Sequence, residues 1–269
     1  DGAKDNGQYF RDTFFLEGVD VLKGPSSMLF GRGTTGGIVN LLSKQAHAGD
    51  DFSADLSLGS YDLRRLSADA NLGNDQLAGR VSALYHDADS FRDQNFLERK
   101  AIAPAGRLQL GSDSFFTLQG LYQQEDSVFD YGVPMFRGRP ADVGRDTFYG
   151  FADDRFQQFD VAMTTAVLDL GLADNLRLRN TTRYGDYQRD YRTHLFGEVT
   201  DVGFGSTVAR TQALRASGQQ NLINQTDLIL TGEWLGHEHT LLVGAELARE
   251  DYDFRSKNST DVASIAIFD

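Results

Sequence analysis

The stretch Val21-Leu22-Lys23-Gly24-Pro25-Ser26-Ser27-Met28-Leu29-Phe30-Gly31-Arg32-Gly33-Thr34-Thr35-Gly36-Gly37-Ile38-Val39-Asn40 decides how this chain is to be read. It runs from a strand, through a Pro-led helical turn and a glycine-rich bend, into a second strand. From Leu16 to Leu22 apolar and polar residues alternate, as in a half-buried strand. Pro25 suits the first turn of a short helix, where its missing N–H costs nothing. Gly31, Gly33, Gly36 and Gly37 supply positive-φ freedom for a tight bend. Ile38 to Ser43 reads as the second strand, and the polar run from Lys44 to Asp51 marks a boundary.

Outward from that boundary the pattern repeats though the sequence does not. Nine candidate strands follow, at about 52–59, 63–73, 76–88, 100–111, 114–126, 156–171, 174–190, 220–235 and 238–254. Most alternate with period two. Leu66, Ala68, Ala70 and Leu72 oppose Arg65, Ser67, Asp69 and Asn71; Leu176, Leu178 and Tyr184 oppose Arg177, Arg179 and Arg183; Leu222, Leu228, Leu230 and Trp234 oppose Gln225, Asp227 and Glu233. The sixth strand is apolar on both faces and stays ambiguous. Tight turns at Gly73-Asn74-Asp75, Gly111-Ser112-Asp113, Leu172-Ala173-Asp174-Asn175 and Gly236-His237 interleave with long connections at about 89–99, 127–155 and 191–219. Only Ser60-Tyr61-Asp62 is short where that rule expects length. Loops sorted short on one side and long on the other are what bacterial outer-membrane barrels show. Aromatic residues near the strand ends, Tyr61, Tyr85, Phe115, Tyr122, Tyr184, Trp234, Tyr252 and Phe254, fit girdles at the membrane interfaces, although β propensity alone also enriches aromatics in strands.

Composition narrows the classes. The chain has 269 residues, 40% of them hydrophobic, and no apolar run near the ~20 residues of a membrane helix. A formal net charge of −13 argues against a nucleic-acid partner, which would call for a basic footprint. Zero cysteines exclude disulfides, thiolate metal sites and cysteine nucleophiles. With neither an initiator Met nor a leader, the chain reads as an internal stretch of a longer protein.

The run Arg11-Asp12-Thr13-Phe14-Phe15-Leu16-Glu17-Gly18-Val19-Asp20-Val21-Leu22-Lys23-Gly24-Pro25, continued through Gly31-Arg32-Gly33, resembles the late plug of TonB-dependent siderophore receptors. Thr34-Thr35-Gly36-Gly37-Ile38-Val39-Asn40 is similar to the continuation of that motif; Gly18 departs from the bulkier residue the family carries there. Gly59-Ser60-Tyr61-Asp62 resembles the first barrel hairpin. Asp130-Tyr131-Gly132-Val133-Pro134, Arg137-Gly138-Arg139-Pro140 and Phe148-Tyr149-Gly150 resemble an outer loop of the catecholate type. The resemblance implies a mainly all-β chain: residues 1–47 as the C-terminal part of a plug domain, and 48–269 as the first nine or so antiparallel strands of a transmembrane barrel of about 22. It implies the outer membrane of a Gram-negative bacterium, membrane lipid around the wall, and energy-coupled import of a ferric siderophore. A TonB-type coupling protein would be the partner, its contact segment lying outside this stretch. Other cargo (haem, cobalamin, a glycan) or a passive porin are the alternatives. The plug motif, Lys23, Gly24, Pro25, Gly31, Arg32, Gly33, Gly36 and Gly37, speaks against an open pore.

No catalytic constellation, metal site or resident cofactor is expected. Gly31-Arg32-Gly33-Thr34-Thr35-Gly36 formally matches a dinucleotide fingerprint, but a strand rather than a helix follows it. His237-Glu238-His239 falls in a turn, where solvated side chains are the default, and His194 is the one histidine placed to serve haem. Ferric catecholates are anionic and aromatic, so Arg and aromatic side chains of the outer loops are the natural contacts: Tyr131, Phe136, Arg137, Arg139, Tyr149 and Phe151, with Arg145, Tyr191 and Arg192 behind them. The inward charges Arg65, Asp69, Arg80, Arg107, Arg177, Arg179, Arg183, Asp227, Glu233 and Glu246 suit a polar wall paired with the plug, with Lys23 or Arg32 facing Glu233 or Glu246.

Overall fold

The computed structural model describes residues 1–5, 7–24, 36–151, 156–260 and 262–268. Pro25, Gly31, Arg32 and Gly33 of the opening motif lie outside them, as does the helical turn expected there. β1 (Leu16–Lys23) and β2 (Gly37–Ser43) form an antiparallel pair with Asp20 opposite Asn40 and Val21 opposite Val39. Gly37 sits at φ 137°, and a Cβ there would strike the Leu22 carbonyl oxygen. Only glycine closes the pair at this end.

The second sheet takes nine strands in chain order, all antiparallel: β3 (Asp51–Leu58), β4 (Arg64–Gly73), β5 (Leu77–Asp89), β6 (Phe96–Gly111), β7 (Ser114–Ser127), β10 (Phe156–Ala173), β11 (Leu176–Thr200), β12 (Thr207–Trp234) and β13 (His237–Ser259). A two-residue ribbon, β8 (Met135–Phe136) with β9 (Arg139–Pro140), stands between β7 and β10, and β14 (Ile265–Ala266) pairs with β12. Tight turns join β4 to β5, β6 to β7, β10 to β11 and β12 to β13, all at one end, as the sequence predicts.

Alternation assigns the two faces. On β7, Thr117, Gln119, Leu121, Gln123, Glu125 and Ser127 are buried, whereas Leu118 and Tyr122 between them are each 46% exposed. Leu66, Leu72, Leu77, Val81, Ile102, Leu108, Leu222, Leu228 and Leu230 share the exposed face, while Asp69, Asn71, Ser82, Thr165, Asp169 and Arg183 are buried on the other. A water-soluble sheet would do the reverse. An apolar exterior around a polar, filled interior is the arrangement of a barrel wall in lipid. On the exterior, nearer the long loops, Gln124 donates to Asp160, Gln158 to Asp126, and Gln188 and Gln220 to Asp186, so polar pairs succeed the apolar band.

Three sequence expectations change. The ambiguous sixth strand, β10, turns Phe159, Val161 and Met163 inward, where aromatic rings of the N-terminal segment receive them. The connection expected at 191–219 is instead a continuation of β11 and β12, whose pairing runs on to Thr200 and Thr207; Phe196, Val199 and Val208 join an apolar cluster there. The aromatic girdle is thinner than expected. Tyr85, Tyr122 and Tyr184 do lie on the exterior, but Phe115 shares the interior face with Arg107, whose guanidinium it meets at 4.8 Å. Tyr252 pairs with buried Gln219, so Tyr252 and Phe254 stack on each other on the inner face. Tyr61 occupies a turn at φ 60°. The side chain of Trp234 lies outside the description.

Candidate functional site

Residues 1–5 and 7–16 lie against the inner face, and one carboxylate organises the contact. Asp12 accepts hydrogen bonds from Arg65 Nη1 and Nη2 at 2.9 and 2.7 Å and from Arg99 Nη1 at 3.0 Å. Arg99 in turn grips Glu125 Oε2 through Nε and Nη2 at 2.8 and 2.6 Å. Arg65, Arg99 and Glu125 reach the same place because each holds an inward position on β4, β6 and β7. Burial alone would push the Asp12 carboxyl up; the Arg65 hydrogen bonds and charge, the Phe14 N–H and the Arg99 charge outweigh it and hold it at about 2. Around this network Tyr9, Phe14 and Phe15 pack with Leu84, Ala101, Leu121, Phe159, Val161 and Tyr187. Gly7 passes so close to the Tyr187 ring that a Cβ would collide with it.

The chain leaves this seat under restraint. Asp69 takes Lys44 Nζ at 3.3 Å, Arg80 Nε at 3.0 Å and the Ser82 hydroxyl, while Arg80 also donates to the Gln45 carbonyl. Asn71, fully buried, accepts from the His47 N–H at 3.1 Å and donates to the His47 and Gly49 carbonyls at 2.9 and 2.7 Å. Every functional group of the amide is used on the strap at residues 47–49. Of the other inward charges, Arg177 meets Asp169 at 2.9 Å and Glu246 accepts from Gln225 at 2.6 Å. Arg32, the proposed partner of Glu233 or Glu246, is outside the described residues, and Lys23 is exposed.

Toward the long loops the interior opens into an aromatic mouth. Phe10, 55% exposed, meets Phe159 edge-on at 5.5 Å, and its carbonyl accepts from Gln123. Phe129 stacks on Tyr191 at 4.9 Å and meets Tyr131 edge-on at 5.1 Å. The Arg189 guanidinium stands among them, 4.6 Å from the Tyr191 ring centre, 5.3 Å from Phe159 and 5.8 Å from Phe129.

Above the mouth the outer segments form a body with its own core. Ala141, Val208 and Ile267 are buried together, with Phe136, Val143, Phe196, Val199, Ile265 and Phe268 around them. Arg210 staples this body: it donates to the Ala263, Tyr149 and Gly150 carbonyls, and its guanidinium lies 3.8 Å from the Phe151 ring. The six outer-loop residues singled out from sequence are therefore dispersed. Tyr131 alone joins the mouth. Tyr149 is buried with its hydroxyl donating to the Ile267 carbonyl; Phe136 packs edge-on against Phe268; Phe151 lies beneath Arg210 and against His194. Arg137 is bidentate to Asp201 at 2.6 and 2.8 Å, which lowers the Asp201 carboxyl pKa, and Arg139 is exposed. Arg145 donates to the Tyr61 hydroxyl, and the Arg192 guanidinium lies 5.6 Å from the Phe156 ring. Loop composition had concealed Arg189, a strand residue. Its signal was parity, because it continues the inward series of Arg177, Arg179 and Arg183.

No family model matches the chain. Individual relatives do. It is 31% identical over 275 residues to the probable TonB-dependent siderophore receptor PiuA of Acinetobacter baumannii, covering 97% of this chain and 36% of that protein. It is 29% identical over 294 residues to the catecholate siderophore receptor Fiu of Escherichia coli, covering 100% of this chain and 38% of the relative. The closed-form crystal structure of Fiu superposes with a TM-score of 0.90 at 28% identity, over 99% of this chain and 41% of that one. The crystal structure of PiuA superposes with a TM-score of 0.86 at 26% identity, over 96% and 40%. The chain thus spans about two fifths of the length of these relatives, all of which are receptors rather than enzymes.

Proposed function

Since the chain belongs to the TonB-dependent siderophore receptors of the Gram-negative outer membrane, we propose that its protein captures a ferric siderophore at the aromatic mouth and imports it. Residues 1–47 serve as the late plug and 48–269 as wall. Cargo settles on the plug apex at Phe10, beneath the Arg210-stapled outer body. A TonB-type protein then draws on the plug from the periplasmic side, and the Asp12 network is the contact that must yield. The cargo is of the catecholate class, as the name of the Escherichia coli relative states for that protein, and no catalytic step or resident cofactor takes part.

The observation that carries this reading is the filled interior: a charged segment docked by Asp12, Arg65, Arg99 and Glu125 inside a wall whose apolar side faces away. A passive pore has no use for such a stopper. The test is iron-limited growth of a strain deleted for the full-length gene, supplied with purified ferric siderophores one at a time. Growth on a ferric catecholate restored by the wild-type gene, and abolished when the coupling protein is also deleted, is the expected result. Equal growth with and without the gene on every siderophore would remove the proposal.

A further inference from the structure

Arg189 differs from the arginines that hold the N-terminal segment and the outer loops together. Arg65 and Arg99 are committed to Asp12, Arg92 to Asp130, Arg177 to Asp169 and Arg137 to Asp201. Arg210 spends its donors on three carbonyls. Arg189 has one hydrogen bond, from Nη2 to the neutral Gln157 Oε1 at 3.2 Å, and forms no ion pair among the described residues. Its Nε is buried with no acceptor. The three surrounding rings hold the guanidinium plane, and among the described residues its charge has no counter-ion. The side chain is half-buried, and a partly desolvated cation is ordinarily paired, because desolvation without compensation is costly. An arginine held this way has donors to offer an oxyanion.

The surroundings define the anion. Guanidinium is planar and weakly hydrated, favours bidentate oxygen acceptors and stacks on aromatic faces. The exposed rings at the same mouth, Phe10 and Tyr131 (48% exposed), offer faces to a second planar group. We propose that Arg189 is the specificity-determining cation of the mouth, selecting iron chelates whose aromatic oxyanions carry net negative charge over neutral iron chelates of similar size. This inference rests on the import reading and assigns its charge preference to one side chain. Gln157 acts as a spacer: neutral itself, it orients Arg189 without cancelling the charge.

The test uses the full-length receptor in detergent, with two probes, the iron(III) complex of 2,3-dihydroxybenzoate and a neutral iron(III) trihydroxamate. Binding is measured by calorimetry at low and at high salt. Wild type is expected to prefer the anionic probe, with the preference shrinking as salt rises. Arg189→Gln should weaken the anionic probe by about 10- to 100-fold, the value of hydrogen bonds to a charged group, and leave the neutral probe unchanged. Gln157→Glu keeps every arginine and places a carboxylate beside Arg189. It should reproduce the loss, and its folding is followed by heat-modifiable migration. Arg249→Gln, on the exterior face, is the control. Undiminished binding of the anionic probe by both Arg189→Gln and Gln157→Glu overturns the inference and leaves the import reading standing, as does a wild type that binds both probes equally. A wild type that binds no iron complex overturns both.

Discussion

Asp69 and Asp12 are both buried carboxylates at the contact between the N-terminal segment and the large sheet, but they fasten it from opposite sides. Asp69 belongs to the sheet and, with Asn71, holds the strap on which the N-terminal segment departs. Asp12 belongs to the N-terminal segment and is held by Arg65 and Arg99 of the sheet. Around Asn71 the bonds go to backbone groups of one short stretch and use the amide completely. Around Asp12 the bonds are between side chains, apart from that of the Phe14 N–H, and Arg99 has a further commitment to Glu125. The Asn71 hold is a fixed joint of neutral hydrogen bonds, indifferent to pH, set beside the ionic grip of Asp69 on Lys44 and Arg80. The Asp12 network is an ionic contact that can be exchanged, sensitive to acid and to the loss of either partner.

The contrast breaks most visibly at Arg99. Replacing it with Leu strands Glu125, whose side chain is 1% exposed, and removes one of the two arginines on Asp12. Loss of one member of a buried charge network costs about 3–5 kcal/mol, and heat-modifiable migration of the full-length receptor should fail at a markedly lower temperature. Asn71→Ala comes next, at about 1–2 kcal/mol, because it leaves three backbone groups of the partly buried strap without their partner. Amide exchange should accelerate at His47, and the Asp12 contact should be untouched. If exchange spreads evenly over residues 1–24, the two fastenings are one unit and the distinction is wrong.

Acid sharpens the comparison because it acts on the ionic contacts of Asp12 and Asp69 and spares the Asn71 hold. The Asp12 carboxyl titrates at about 2, below its ordinary value of 3.8. A depressed carboxyl contributes stability that is complete above its unfolded pKa and is lost as pH falls through the folded one. Docking should therefore weaken between about pH 4 and pH 2, by about 2 kcal/mol in total. Unfolding measured across that window should show the loss in wild type and a flatter profile in Asp12→Asn. The smallest effect is expected far from both carboxylates: Arg137→Gln breaks an exposed ion pair with Asp201 and should leave the thermal midpoint unchanged, as such pairs commonly do.

The wall was legible because alternation is a property of each strand by itself. Leu66 against Arg65, or Leu118 against Gln119, announces two faces without knowledge of any partner. The strand at 156–173 was not, because Phe159, Val161 and Met163 are apolar for the sake of rings brought from Tyr9, Phe14 and Phe15, far away in the chain. The placement of the outer residues was hidden for the same reason. Tyr149 and Phe136 have the composition of ligand contacts, but Ile267 and Phe268 claim them, and nothing local announces that claim. Arg189 was readable in principle, since it keeps the parity of Arg183, but its aromatic neighbours come from distant parts of the chain. The fastening at Asn71 carried no local signal, because an asparagine in a strand is unremarkable until the strap crosses it.

Strand length makes the rim uneven. β3 and β4 have 8 and 10 residues, whereas β11, β12 and β13 have 25, 28 and 23. Crossing the hydrocarbon layer takes about 9–11 residues of tilted strand, so more than half of β11 and β12 stands clear of it. The collar is a parapet on that flank and nearly flush on the other. A solute arriving from the medium meets shelter from one quarter and an unguarded approach over the first hairpin.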